Sequence, residues 1–317
     1  MIGGEFELIR RIRELVNSSQ CIPDSVTGIG DDCAVYKISE NRFGLFTTDM
    51  SIEKRHFDLN YTSWYDAGYR SMTANISDIY AMAGRPVMAF ISAGVPAHAS
   101  EENVLESYRG MIDCANRHGV TIAGGDTVSS DSFLLGISLY GETSSPVMRS
   151  GAEPGHFIYC TGSLGGSLLG LEVLKSREGA ADFTESVMKH LRPEPYAGVE
   201  VILRDYSPSS MIDISDGLLS DLNHICEESG CGFELFAQSI PVSAEVESYC
   251  SGKSIDPLSY AMYSGEEYEL IFTSPKEIKN GFVSLMGRII PEGYYIIKDN
   301  VRTGIVIEGF DHFITRG

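Results

Sequence analysis

Five acidic turns, each closing an apolar run or seated among small residues, carry the chemistry open to this chain. They are Gly30-Asp31-Asp32, Thr47-Thr48-Asp49 after Phe43–Phe46, Asn75-Ile76-Ser77-Asp78, Gly124-Gly125-Asp126 after Val120–Ala123, and Asp213-Ile214-Ser215-Asp216-Gly217 after Met211-Ile212. Strand ends are where open α/β sheets gather ligands. Carboxylates collected there repel one another unless a cation neutralises them. A hard, oxygen-loving Mg²⁺ shared with substrate phosphates is the economical solution. The pattern therefore points to nucleotide chemistry, and it does so without a P-loop: no G-x-x-x-x-G-K-[ST] occurs, nor a kinase-type glycine loop with its lysine.

Asp32, Asp49, Asp78, Asp126 and Asp213 are the candidate metal ligands. Each alone has a plainer explanation, because Asp is a common helix cap and turn residue, and Asp216-Gly217-Leu218 reads as a cap opening a helix. Gly30, Gly124 and Gly125 allow close approach to a phosphate, and nearby Ser and Thr hydroxyls add oxygen ligands. The turn Gly162–Gly166 at a helix start suits an anion on its backbone N–H groups, and equally suits tight strand-to-helix packing. Arg149 could clamp a phosphate or serve an ordinary salt bridge. His56, in Lys54-Arg55-His56-Phe57, reads by default as a surface histidine. The adjacent acids of Gly265-Glu266-Glu267 are either solvated or placed to bind a cationic group. No Ser/His/Asp spacing or Cys/His metal cluster is present.

These residues need elements to hold them. With 317 residues, 43% of them apolar, the chain suffices for one large domain or two ordinary ones. A net charge of −20 argues against nucleic acid and against an anionic membrane. No stretch reaches the ~18 apolar residues of a membrane span. Glu5 and Glu7 read against a signal peptide. The seven cysteines lack a C-x-x-C pair, which fits reduced thiols in a cytoplasmic protein, with Cys33 a packed small residue.

Periodicity predicts an amphipathic helix over 5–16, with Phe6, Ile9, Ile12 and Val16 on one stripe. Strands follow at 34–38 and 42–48, then helix 63–83, strand 87–95, helix 101–118, and strands 120–123 and 133–140. A junction falls near Ser144-Ser145-Pro146, dividing the chain into 1–145 and 146–317. Beyond it come strand 157–161, a helix through Leu174, a helical stretch 199–204, a helix from about Gly217 to Glu228 and strand 270–273. The expected class is α/β with mixed sheets.

Taken in order, the motifs resemble the thiamine-monophosphate kinase family, part of the ATP-binding superfamily that includes aminoimidazole ribonucleotide synthetase. The matching segments begin with Gly3–Ile9, Gly28–Ala34, Thr47–Asp49 and Ala74–Asp78. They continue through Gly124–Thr127, Arg149–Gly155, Leu191–Pro193, Ile212–Gly217, Ser264–Leu270 and Gly309–Phe313. The resemblance implies transfer of the γ-phosphoryl group of ATP to thiamine monophosphate. It implies Mg²⁺ ions held by Asp32, Thr47, Thr48, Asp49, Asp78, Asp126 and Asp213, with Asp216 near a further ion. ATP contacts would come from Tyr108, Gly125, Asp126, Arg149 and Ser215, and thiamine phosphate contacts from His56, Glu266 and Phe310. The implied fold is a two-domain aminoimidazole ribonucleotide synthetase-like one, whose N-terminal domain forms a dimeric β-barrel in a homodimer. The acceptor oxygen is already anionic, so no general base is required, and cations with one arginine suffice for positioning and charge neutralisation. Alternatives are another enzyme of the superfamily, such as a selenophosphate synthetase, or a non-catalytic nucleotide or thiamine-phosphate binding protein. Gly3-Gly4-Glu5 lacks the reactive cysteine of the former, and the retained aspartates argue against the latter.

Overall fold

The computed structural model describes residues 4–177, 179–278 and 282–307. In chain order the first part contains α1 (Glu5–Ser19), β1 (Val26–Thr27), β2 (Ala34–Ser39), β3 (Arg42–Ile52), α2 (Trp64–Ala81) and β4 (Arg85–Pro96). It continues with α3 (Glu101–Arg117), β5 (Thr121–Ser130) and β6 (Leu134–Thr143). The second part contains β7 (Phe157–Cys160), α4 (Gly166–Ser176), α5 (Thr184–Leu191), α6 (Val199–Tyr206), β8 (Ser210–Asp213) and α7 (Leu218–Ser229). After these come β9 (Gly232–Phe236), α8 (Ala244–Ser251), α9 (Pro257–Tyr263), β10 (Leu270–Ser274), β11 (Ser284–Ile290), β12 (Tyr294–Lys298) and β13 (Val301–Gly304).

The strands form two open, mixed sheets. The first runs β1-β2-β3-β6-β4-β5, with β4 and β5 parallel and joined through α3. The second runs β13-β12-β9-β11-β7-β10-β8, with β12 and β9 parallel. The mixed α/β class is as expected, and neither sheet closes on itself.

Helix α2 lies between the two sheets, packing on β3 and β6 of the first and β8 of the second. It starts where Ser63 accepts a hydrogen bond from the Asp66 N–H, a standard N-cap. Ala67, Tyr69, Met72, Ile76 and Ile79 are buried in the first sheet's core with Leu45, Ile91 and Ile137. Its polar residues Arg70, Thr73, Asn75 and Ser77 are buried as well, so the helix is enclosed nearly all round. Against it α3 packs closely enough that a Cβ at Gly68 would sit 1.9 Å from the Ser107 carbonyl, and one at Gly110 1.9 Å from that of Tyr65. The second core gathers Ile158, Ile212, Leu219, Phe233 and Ile271 beneath α7 and α9.

Three expectations change. Strands β3 and β5 run through Asp49 and Asp126 instead of ending beside them, because their ladders continue to Ile52↔Leu134 and Pro96↔Ser130. In α1 the apolar stripe is uncovered: Ile9 is 42% and Ile12 43% exposed. The side chain of Phe6 lies outside the described residues. Helix α1 is tethered instead by an ion pair between Arg13 and Glu228 of α7.

Candidate active site at the junction of the two sheets

The aspartates meet because three elements converge. The loop before β2 carries Asp31 and Asp32, the last turns of α2 carry Asp78, and the end of β8 carries Asp213. Carboxylate oxygens of Asp32, Asp78 and Asp213 all lie within 4.8 Å of one another. The Ser77 hydroxyl donates to Asp213 and the Thr47 hydroxyl to Asp78. Asp49 is beside them, its backbone N–H bonded to the Asn75 side-chain oxygen at 3.2 Å.

Burial dominates the electrostatics of this cluster. It raises the Asp213 carboxyl to about 8, with Asp32 adding to the effect. It raises Asp49 to about 6, helped by Asp216 and Asp32, and drives Asp78 well above the usual carboxylate range. The half-buried Arg149 answers them: its guanidinium donates to Asp32 while its backbone N–H donates to Asp31 at 3.0 Å. Burial works against the charge on Arg149, yet Asp32 holds its pKa above the ordinary value.

Asp32 Oδ2 is buried and has no hydrogen-bond partner. An unsatisfied carboxylate oxygen facing two other carboxylates, with hydroxyls alongside, fits a hard divalent cation. Asp32, Asp78 and Asp213 could hold such an ion there, with Asp49 alongside.

The cluster opens into a cavity of about 1080 Å³ lined by Asp49, Asp78, Asp213, Ser215 and Asp216 together with a very different set of groups. Those are Lys54, Arg55, His56, Arg70, Tyr61 and Glu266. His56 Nδ1 accepts the Ile52 N–H at 3.0 Å, which fixes the ring against the end of β3. Glu266 receives a hydrogen bond from Arg70, a side chain only 3% exposed, and Arg70 also contacts His190 Nε2 at 3.0 Å. Burial opposes ionisation of Glu266, but Arg70 outweighs it and holds the carboxyl below its usual value. His190 is pushed down to about 3 by burial and by the Arg70 charge, so it is neutral.

Not every sequence candidate reaches this cavity. Across the first sheet, Asp49, Ile137, Ile91 and Gly125 share one row, while Met50, Gly136, Ser92 and Asp126 share the next. Ile91 and Ile137 are fully buried, so the first row faces α2 and the second faces away. Asp126 is therefore on the opposite face from Asp49, three strand spacings or about 14 Å along the sheet. Thr48 shares that outer face, 3.1 Å from the Ser138 hydroxyl. Gly125 packs on β4 so tightly that a Cβ would sit 1.9 Å from the Ile91 carbonyl. Tyr108 borders a separate hollow with Ile112, Asn116, Thr121 and Ile122. Phe310 and the segment Gly309–Phe313 lie outside the described residues.

Several participants were not singled out in the sequence. Arg70 could have been: with Ala74 and Asp78 it repeats every fourth residue, and all three line the cavity. Asp221 accepts backbone N–H bonds from Ser215, Asp216 and Gly217 at 3.1, 3.1 and 3.0 Å, shaping the turn that presents them. The Gly162–Gly166 turn does cradle an anion, but an internal one. Gly165 and Ser167 donate to Glu267 Oε1 at 2.8 and 3.1 Å.

The chain is similar to known proteins over nearly its whole length. Residues 30–143 match the AIR synthase related protein N-terminal domain, and residues 153–290 the corresponding C-terminal domain. The thiamine-monophosphate kinase of Salmonella typhimurium is 34% identical, over 99% of this chain and 100% of its own. That of Aquifex aeolicus is 32% identical over 98% of each. A solved structure described as AaThiL complexed with AMPPCP and TMP superposes with a TM-score of 0.87 at 30% identity, covering 98% of this chain and 97% of its own. On these matches the chain belongs to the thiamine-monophosphate kinase family of AIR synthase related proteins.

Proposed function

We propose that this protein transfers the γ-phosphoryl group of ATP to thiamine monophosphate, giving thiamine diphosphate and ADP. The observation that carries the reading is the double character of one cavity. Clustered aspartates suited to metal-bound phosphates and a set of groups suited to a charged organic acceptor line the same space. Two binding proteins would need two cavities; a phosphotransferase needs one.

When bound, Mg²⁺ supplies charge neutralisation for the nucleotide phosphates. The chain's own residues do the rest. Asp32, Thr47, Asp49, Asp78 and Asp213 define where that charge is held, and Asp216 and Ser215 extend the site into the cavity. Arg149 is pre-ordered by Asp31 and Asp32 and offers a guanidinium to a phosphoryl oxygen. Glu266 suits the cationic thiazolium, and His56 stands at the same wall. No side chain has to remove a proton from a phosphate oxygen that is already anionic.

The same reading assigns residues 1–145 to nucleotide and metal binding and 146–317 to the α/β half that closes the cavity. It makes the protein a homodimer through the outer face of the first sheet. There Phe46, Met50, Phe90 and Val128 are 50%, 57%, 48% and 56% exposed, an apolar surface that favours association. Thr48, Asp126 and the nearby Tyr108 would then stand at the subunit boundary, and two such faces would complete a barrel.

Phosphorus NMR of protein mixed with ATP, Mg²⁺ and thiamine monophosphate tests the reaction. A growing diphosphate signal that needs all three components supports it, and free inorganic phosphate as the sole new signal overturns it.

A further inference from the structure

The adjacent acids Glu266 and Glu267 point in opposite directions. Glu266 lines the cavity, while Glu267 is fully buried behind it. Glu267 Oε1 accepts from the backbone of Gly165 and Ser167 at the start of α4, and from the Ser264 hydroxyl at 2.6 Å. Its Oε2 lies 3.2 Å from Lys189 Nζ of α5. One carboxylate thus joins α4, α5 and the end of α9.

The loop it anchors has an unfavourable backbone. Glu266 and Tyr268, flanking Glu267, are both left-handed, with φ of 55° and 52°. Non-glycine residues occupy that region only when their surroundings impose it, and such positions cluster at functional sites. The imposing contacts are visible. The N–H groups of Glu266, Glu267 and Tyr268 donate to the carbonyls of Ser215 and Ile214 at 2.8, 3.1 and 2.9 Å on one side. Glu267 supplies the side-chain anchor on the other.

We infer that Glu267 is a positioning residue for substrate recognition: it locks the 264–268 loop in its left-handed form so that Glu266 stays directed into the cavity toward the cationic part of the acceptor. This rests on the reading of Glu266 as an acceptor-binding residue. The turn carrying Ser215 and Asp216 shares those backbone bonds with the loop, but Asp221 holds it as well, through the N–H groups of Ser215, Asp216 and Gly217, so the nucleotide side keeps a second support. Releasing Glu267 therefore acts on the acceptor before it acts on ATP.

The test is steady-state kinetics of Glu267→Gln, Glu266→Gln and the double variant. Glutamine keeps an acceptor for Gly165 and Ser167 but turns an NH₂ group toward the Lys189 ammonium, donor against donor. Glu267→Gln should raise KM for thiamine monophosphate about tenfold or more, with KM for ATP shifted less than about twofold. In the Glu266→Gln background the same change should add little, since the two residues act as one unit. Ser264→Ala removes one tie to Glu267, together with the acceptor of the Leu168 N–H in the first turn of α4, and should move KM for thiamine monophosphate in the same direction by a smaller factor. It is the variant to use if Glu267→Gln does not fold. Equal shifts in both KM values, or full additivity of the two glutamine changes, would make Glu267 merely structural and overturn the inference. A wild-type protein that neither turns over nor binds thiamine monophosphate would overturn the functional reading as well.

Discussion

The Ser77 hydroxyl of α2 donates to the carboxylate of Asp213 at the end of β8, and this one hydrogen bond ties the helix of the first sheet to a strand of the second. Asp213 is 2% exposed and faces two other carboxylates. The folded chain holds an arrangement that repels itself until a cation arrives. Such a cluster serves ligand binding at the expense of stability.

Replacing Asp213 with Asn should separate these two roles. The amide keeps an acceptor for Ser77 and removes a charge. We expect phosphoryl transfer to fall by about a thousandfold, by loss of metal and charge positioning. The metal-free variant should melt higher than wild type at about pH 9, above the value of about 8 to which burial raises Asp213. Differential scanning fluorimetry with chelator present, beside the activity assay, reads both; a lower melting temperature with full activity would refute the assignment.

Mg²⁺ should stabilise the protein without any nucleotide. At a hundredfold excess over Kd the gain is about 2.7 kcal/mol, a shift of several degrees for a chain of this size. Asp32→Asn should lose that gain, because it removes the charge and exchanges one of two carboxylate oxygens for an NH₂ group on the side chain whose buried Oδ2 has no partner. Melting curves in Mg²⁺ and in chelator are sufficient. An identical Mg²⁺ response in the variant would move the ion elsewhere.

His190 gives a pH dependence of definite sign. Its folded pKa, about 3, lies below the ordinary 6.5, so the neutral ring is favoured by folding. Its contribution is complete above pH 6.5 and is lost as pH falls toward 3, at up to about 1.4 kcal/mol per pH unit. Asp31 and Asp213, raised by burial to about 7 and about 8, work in the opposite direction over the same range. The informative quantity is therefore wild type minus His190→Gln, in denaturant titrations between about pH 7 and pH 5. That difference should shrink steadily on acidification; a constant difference would mean that His190 is not held neutral.

Much of the fold is readable from local signals. Ser63 and Ser100 cap α2 and α3 with their side chains, and α2, β4 and α3 fall within two residues of the expected 63–83, 87–95 and 101–118. Turn composition misled at Asp49 and Asp126. Gly, Thr and Asp resemble a strand end, yet the ladder with the neighbouring strands carries both through. Alternation along those strands also splits the candidates: Thr47 and Asp49 face α2, while Thr48 and Asp126 face outward. A list of aspartates cannot show that, because face depends on register. Buried ionisable groups were the other blind spot. Arg70, Asp221, His190 and Glu267 look like ordinary surface charges until packing encloses them. The apolar stripe of α1 was legible, but its partner is not among the described residues of this chain.

The outer face of the first sheet offers a further check. Phe46→Lys combined with Phe90→Lys places two charges in the proposed interface, and light scattering should report a monomer where wild type is a dimer. A dimeric double variant would remove the interface from this face.

The most direct test of the central claim follows the label from γ-labelled ATP in the presence of Mg²⁺ and thiamine monophosphate. Chromatography should show ADP and thiamine diphosphate forming in equal amounts, with the label in the terminal phosphate of the thiamine diphosphate. Label released as inorganic phosphate, with thiamine monophosphate unchanged, would contradict the account: the cavity would then bind and split ATP without passing its phosphoryl group to the acceptor.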